Sequence, residues 1–151
     1  MKKLTLLLMI ILFALPYVNG QVSAFEKESK FDFKKTVEAI KEKATEAGWS
    51  IPTEHDMQAS MKKKNKEISP STILVLCNSN YAYKLLRNDE TREAQSMLPC
   101  RIAVYEKSNG KTYLAWPDYA KAGKGFSDEA ASVFSDAANE IKGITSTIIK
   151  E

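Results

Sequence analysis

The sequence predicts an α+β domain, a mostly antiparallel sheet covered by helices. Three observations predict it. Helical-period segments alternate with short apolar runs, the strongest turn signal joins two consecutive apolar runs as a hairpin, and no repeat or low-complexity segment interrupts the order. That order reads strand, helix, strand, helix, strand, helix, hairpin, helix.

The first 20 residues stand outside this pattern. Lys2 and Lys3 precede an apolar run from Leu4 to Leu15, and small residues including Val18 and Gly20 follow. This is the layout of a secretory signal peptide with cleavage near Gly20–Gln21. A membrane span needs about 20 apolar residues, and Pro16, Asn19 and Gly20 end the run too early. With no cysteine at the cleavage site to carry a lipid, no membrane anchor is expected after cleavage. The expected location is exported, periplasmic or secreted. Removing residues 1–20 from the 151 leaves 131, ample for one domain with a core. Without Lys2 and Lys3 the net charge falls from +3 to +1. A near-neutral chain lacks the basic footprint of a nucleic-acid binder. The single basic run, Lys62–Lys66, reads as a solvated helix end.

Within residues 21–151, Val22–Ser29 is a weak first strand. Asp32 is a suitable N-cap, since its carboxylate can accept from the free N–H groups of a first turn. Phe33, Val37, Ile40, Ala44 and Ala47 then share one helical face, and Gly48 supplies the stop. Trp49–Met57 reads as a strand that Pro52 confines to an edge or a bulge. A short helix carries Met57 and Met61 one turn apart, a pair that reads as core filler. Ile73–Leu76 shows no alternation, which predicts a strand covered on both faces. Asn78 or Ser79 caps the next helix, with Tyr81, Ala82, Leu85 and Leu86; "RNDET" breaks it and starts another short helical turn that ends before Leu98–Pro99. Cys100–Glu106 and Lys111–Trp116 form the hairpin. Asn109–Gly110 fits a two-residue type I′ loop, which pairs Tyr105 with Leu114 and Ala103 with Trp116. The opposite face then holds Ile102, Val104, Tyr113 and Ala115. Both faces need cover, from helices or a partner subunit. Ser127 caps a last helix with Ala130, Val133, Ala137, Ile141 and Ile144 as its buried stripe, and Ile144–Ile149 is expected to fray.

The segments Thr36–Ile51, Thr53–Leu74, Cys77–Ala82 and Leu98–Glu106 resemble, in order and spacing, the domain of unknown function 302 family. The resemblance runs from about Asp32 to Tyr119. It implies a small α+β fold, commonly dimeric, and no assigned activity. Two departures stand out: Ser79 replaces the proline usual after the Cys–Asn pair, and His55 replaces an apolar residue.

Both cysteines fall on family positions, Cys77 ending one predicted strand and Cys100 starting another. Three readings stay open. A disulfide suits an exported protein and would contribute ~3 kcal/mol in the chain-entropy model. A shared thiol pocket could take a soft metal or a sulfur species. Otherwise they are two small core residues. The chain has no Cys-x-x-Cys redox motif. Glu54 and Asp56 share a strand face, with His55 on the other, and read as solvated edge residues beside a possible acid/base role. His55 is the single histidine, which excludes a multi-His zinc site. With Cys77 and Cys100 it would make a three-ligand set, but nothing in the sequence makes the three converge, so no metal or cofactor is assigned. Trp49 and Trp116 read as core or interface anchors. No nucleophile elbow or phosphate loop is present, and no catalytic residue is assigned. The leading reading is a non-enzymatic small-ligand-binding or homodimeric interaction protein, with Cys77, Asn78, Cys100 and Glu54 lining the ligand site. The alternative is a thiol-dependent redox or metal-handling protein using Cys77 and Cys100.

The leader gives the first prediction. N-terminal analysis of the protein recovered from an exported fraction is expected to show a start near Gln21, and a retained Met1 contradicts the assignment.

Overall fold

One antiparallel sheet, with its helices gathered largely on one side, organises the chain. The computed structural model describes residues 23–151, so the expected leader lies outside the described residues. The strands are β1 (Ala24–Glu28), β2 (Ser50–Asp56), β3 (Ser71–Cys77), β4 (Cys100–Glu106) and β5 (Thr112–Pro117). Their spatial order is β1-β5-β4-β3-β2, every neighbouring pair antiparallel. The helices are α1 (Phe33–Glu46), α2 (Met57–Lys62), α3 (Ser79–Leu86), α4 (Asp89–Arg92), α5 (Tyr119–Gly123) and α6 (Asp128–Ser146), with a 3₁₀ turn at Glu93–Met97.

The caps explain where the helices begin. Asp32 accepts from the Lys35 N–H at 2.8 Å, Asp56 from Ala59 at 2.7 Å, Asn78 from Asn80 at 3.0 Å and Ser127 from Ala130 at 3.4 Å. Each satisfies an amide that the first helical turn leaves free. α1 buries Val37, Ile40 and Ala44, and α6 buries Ala130, Val133, Phe134, Ala137, Ile141 and Ile144. Under them lies one row of sheet side chains: Leu74, Leu76, Cys100, Ile102, Val104, Leu114 and Trp116, all buried. Trp49 is buried as well. α5 reaches α6 so closely that a Cβ on Gly123 would stand 2.7 Å from the Phe134 Cβ, so a larger residue there forces the two helices apart.

β2 is an edge strand whose register shifts between Ser50 and Thr53, around Pro52, as a residue without an N–H requires. α2 buries no residue, so Met57 and Met61 lie half-exposed at the surface instead of filling the core. β3 alternates between buried and half-buried positions, so the cover expected on both its faces is present on one.

The hairpin differs from its expected form. Asn109 does not take a positive φ; Gly110 does, at 73°. The Gly110 N–H donates to the Lys107 carbonyl at 2.9 Å and the Lys107 N–H to Lys111 at 3.0 Å, a type I turn followed by a left-handed glycine. The observed pairs are Tyr105 with Tyr113, Val104 with Leu114 and Ala103 with Ala115. A slip of one residue exchanges the two faces of a strand. The observed register gathers Ile102, Val104, Leu114 and Trp116 into the buried row, which the expected one would have divided. Asn109 serves through its side chain, accepting from Lys111 N–H and donating to the Tyr113 hydroxyl, both at 3.0 Å.

The C-terminal tail is held in place where fraying was expected. Ile148 is buried, Ile149 bridges to Ser29, and the Lys30 N–H donates to the Ile148 carbonyl at 2.8 Å. The Lys150 N–H donates to the Glu28 carbonyl at 2.9 Å. Apolar burial and these bonds tie both ends of the described chain together.

Gly110→Val is predicted to destabilise the fold by about 1 kcal/mol or more, the cost of a β-branched residue at positive φ. An unchanged denaturation midpoint would contradict this loop geometry.

Candidate functional site

Cys77, Asn78 and Cys100 meet at one end of the central strands. Cys100 lies opposite Leu76 in the β3–β4 ladder, so Cys77 is one residue beyond that pair. Alternation places Cys100 in the row facing the helices with Leu76, and Cys77 in the next row. Both are free thiols, Cys100 buried and Cys77 half-buried. No disulfide joins them: the two residues belong to neighbouring strands but to alternate rows.

All three residues line a cavity of about 50 Å³ that Trp49, Tyr81 and Phe134 also help enclose. That volume has room for a water molecule or two and is well below the ~300 Å³ at which small-molecule pockets begin. The Asn78 side-chain oxygen already caps α3. Burial pushes the Cys100 thiol up to about 12, and the Tyr119 hydroxyl opposes the shift only in part. A thiol so raised carries almost no thiolate at neutral pH, and thiolate is the form that attacks or ligates.

Glu54 lies apart from these three. It sits on edge strand β2, where it accepts from Lys41 of α1 and, at 3.4 Å, from the Thr72 hydroxyl. It borders a shallow depression with Phe33, Val37 and Lys41. Its neighbour Asp56 is engaged as the α2 cap. His55 pairs with Ile73, in the row away from the main helices. Among the described residues no three His, Cys, Asp or Glu side chains gather as a metal set, so the possible set of His55, Cys77 and Cys100 does not converge.

Two features of this region were missed in the sequence. The first is Glu140 on α6, which accepts from Trp49 Nε1 at 2.6 Å and from the Tyr81 hydroxyl at 2.7 Å. The two rings stand 5.8 Å apart. Burial and then the Glu140 carboxylate raise Tyr81 to about 12. This acid holds α3 and the approach to β2 onto α6, above the cysteine cavity. Glu140 directly precedes Ile141 of the buried stripe, which was the available signal. The second is Tyr119, buried at the start of α5, whose hydroxyl accepts from the Arg101 N–H at 2.8 Å. Burial raises its hydroxyl too. Its ring also borders a larger groove of about 280 Å³ between β1, the end of β5 and α6.

The fold and this region define a small α+β domain with two free thiols at the end of its sheet. The family model described as "Domain of unknown function DUF302" matches residues 25–148, and the chain belongs to that family. The match extends past Tyr119 to take in β1 at one end and α6 at the other. The crystal structure of an uncharacterized conserved DUF302 protein from Bacillus stearothermophilus is similar at a TM-score of 0.73, with 20% identity, over 80% of this chain and 94% of that one. At that identity the likeness speaks for the fold alone. No curated protein matches the chain.

The raised thiol gives a prediction. At pH 8, well below about 12, Cys100 is expected to resist an aromatic disulfide reagent in native protein and to react once the chain is unfolded. Rapid native modification of Cys100, located by peptide mass, would contradict the burial described.

Proposed function

We propose that this chain is an exported, non-enzymatic binding domain that works as a homodimer through the open face of its sheet. The observation that carries the reading is the row facing away from the main helices. It contains Ile73 and Val75 of β3, Ala103 and Tyr105 of β4, and Tyr113 and Ala115 of β5, all half-buried by their own strand neighbours. Tyr105 and Tyr113 stack with centroids 6.3 Å apart, and Lys107 lies 4.2 Å over the Tyr113 ring. A half-buried apolar strip of this kind, bordered by Glu26 and Lys107, supports association through the face.

The sheet edges favour the same reading. β2 carries a bulge, Pro52 and charged residues, and β1 carries Glu26, Lys27 and Glu28. Such edges resist strand addition from another chain, which leaves the face as the surface of association. The thiol-dependent alternative has less support. Its two cysteines do border one cavity, but Cys100 is buried with its thiol pushed up to about 12, the reverse of an activated thiol.

Sedimentation equilibrium tests the reading. The wild-type protein is expected to be a dimer at micromolar concentration. Val75→Glu, which places a charge in the middle of the face, is expected to yield a folded monomer with an unchanged circular dichroism spectrum. A monomeric wild type, or a Val75→Glu variant that remains dimeric, overturns it.

A further inference from the structure

The structure assigns the groove between β1, the end of β5 and α6 to a small amphiphilic carboxylate, its apolar body lying on Phe25 and Trp116 and its head between Lys27 and Lys142. This deepens the binding-domain reading and rests on it, while using a surface distinct from the open sheet face.

The groove exists because β1 overhangs the layer of helices. Phe25 pairs with Trp116 in the β1–β5 ladder and packs on it, ring centroids 5.6 Å apart and tilted by 38°, yet remains 43% exposed. It is one of few large apolar side chains the described residues leave in solvent. Ala138 and Ile149 extend this apolar wall, and the open groove has a volume of about 280 Å³. That is near the lower end of small-molecule sites, which suits a short alkyl or aryl body and excludes a long lipid.

The charges at the rim choose the head group. On β1 the neighbouring acids are already matched: Glu26 pairs with Lys107, and Glu28 with Lys111 and Lys150. Alternation turns Lys27 to the opposite face, where it borders the groove. Neither Lys27 nor Lys142 has a carboxylate within ion-pair distance among the described residues. Asp118 is the one acid lining the groove. Its carboxylate is directed to the start of α5, where it accepts from the Lys121 N–H at 3.0 Å. Two cations beside an apolar floor, with the nearest carboxylate already occupied, complement an amphiphilic anion.

Helix polarity restricts that anion to a single charge. α6 presents Ala138, Asn139, Lys142 and Thr145 to the groove, residues of its C-terminal half. Thr145 lies in the last turn, where the negative end of the helix dipole acts, and there a doubly charged phosphate is disfavoured more than a single charge. The one helix N-terminus at hand, that of α5, is already capped by Asp118. A monoanionic carboxylate between two lysines satisfies both conditions.

Octanoate and 1-octanol are suitable probes, alike in chain and different in charge. Titrated into ¹⁵N-labelled protein, octanoate is expected to shift the indole N–H signal of Trp116. Trp49, held by Glu140, should remain fixed and serves as an internal control. 1-Octanol should bind more weakly. The double variant Lys27→Met, Lys142→Met keeps the apolar stems, and is expected to lose roughly tenfold in octanoate affinity, the scale of one charge-assisted hydrogen bond, with 1-octanol unchanged. Equal binding of acid and alcohol by the wild type, wild-type octanoate affinity in the double variant, or a stationary Trp116 signal would each overturn the assignment. Sedimentation of the same samples separates this failure from failure of the dimer, since neither lysine lies on the open face.

Discussion

The sheet is covered by α1 and α6 on one side, and the other features follow from that one-sided burial. Leu74, Leu76, Ile102, Val104 and Leu114 lose all contact with water under these helices. At about 25 cal/mol per Å² of apolar surface removed from water, this row and the α6 stripe above it form the main cohesive term. Ile73, Val75, Tyr105 and Tyr113 receive no such cover from within the chain. The helical layer also stops short of β1, which exposes Phe25. Open face and groove are the two places where a single layer of helices fails to cover a five-stranded sheet.

Tight packing at the cysteine end has the opposite effect. Cys100 fills a position opposite Leu76, and Phe134 and Val133 line the same small cavity. Glu140 binds Trp49 and Tyr81 together over it. Partners for both ring donors matter here, because an unsatisfied donor in this half-buried setting would cost about 1–3 kcal/mol. The region thus behaves as core closed by a polar clasp, whereas the space for a ligand lies beyond Tyr119.

Much of this was legible in the residues. The helical stripe of α1, the caps at Asp32 and Ser127, and the confinement of Pro52 to an edge bulge all rest on local chemistry, and local chemistry decided them. The hairpin register was harder, because Asn109–Gly110 suits either a two-residue loop or a turn with a left-handed glycine. The larger apolar pattern settles it: only the observed register puts Ile102, Val104, Leu114 and Trp116 in one row. The β-branched tail looked weak as a helix, yet α6 continues to Ser146, and the residues after it are held by Ser29, Lys30 and Glu28, distant in sequence. Among the site residues, Cys77, Asn78 and Cys100 met as strand ends do. Glu54 did not join them, since the antiparallel β2–β3 register sets Ser50 opposite Cys77 and Glu54 opposite Leu74, and its partner Lys41 is set by tertiary packing. The groove was not visible at all: Phe25, Trp116 and Lys142 come from three separate parts of the chain.

The one-sided sheet is tested most directly by hydroxyl-radical footprinting across a dilution series. The account predicts that Leu74, Ile102 and Leu114 stay protected at every concentration, while Tyr105 and Tyr113 become protected only as concentration rises and the open faces meet. Tyrosines oxidised equally at all concentrations would show a face that no second copy covers. Tyrosines protected equally even at the greatest dilution would show a sheet covered on both sides within one chain, and would contradict the architecture itself.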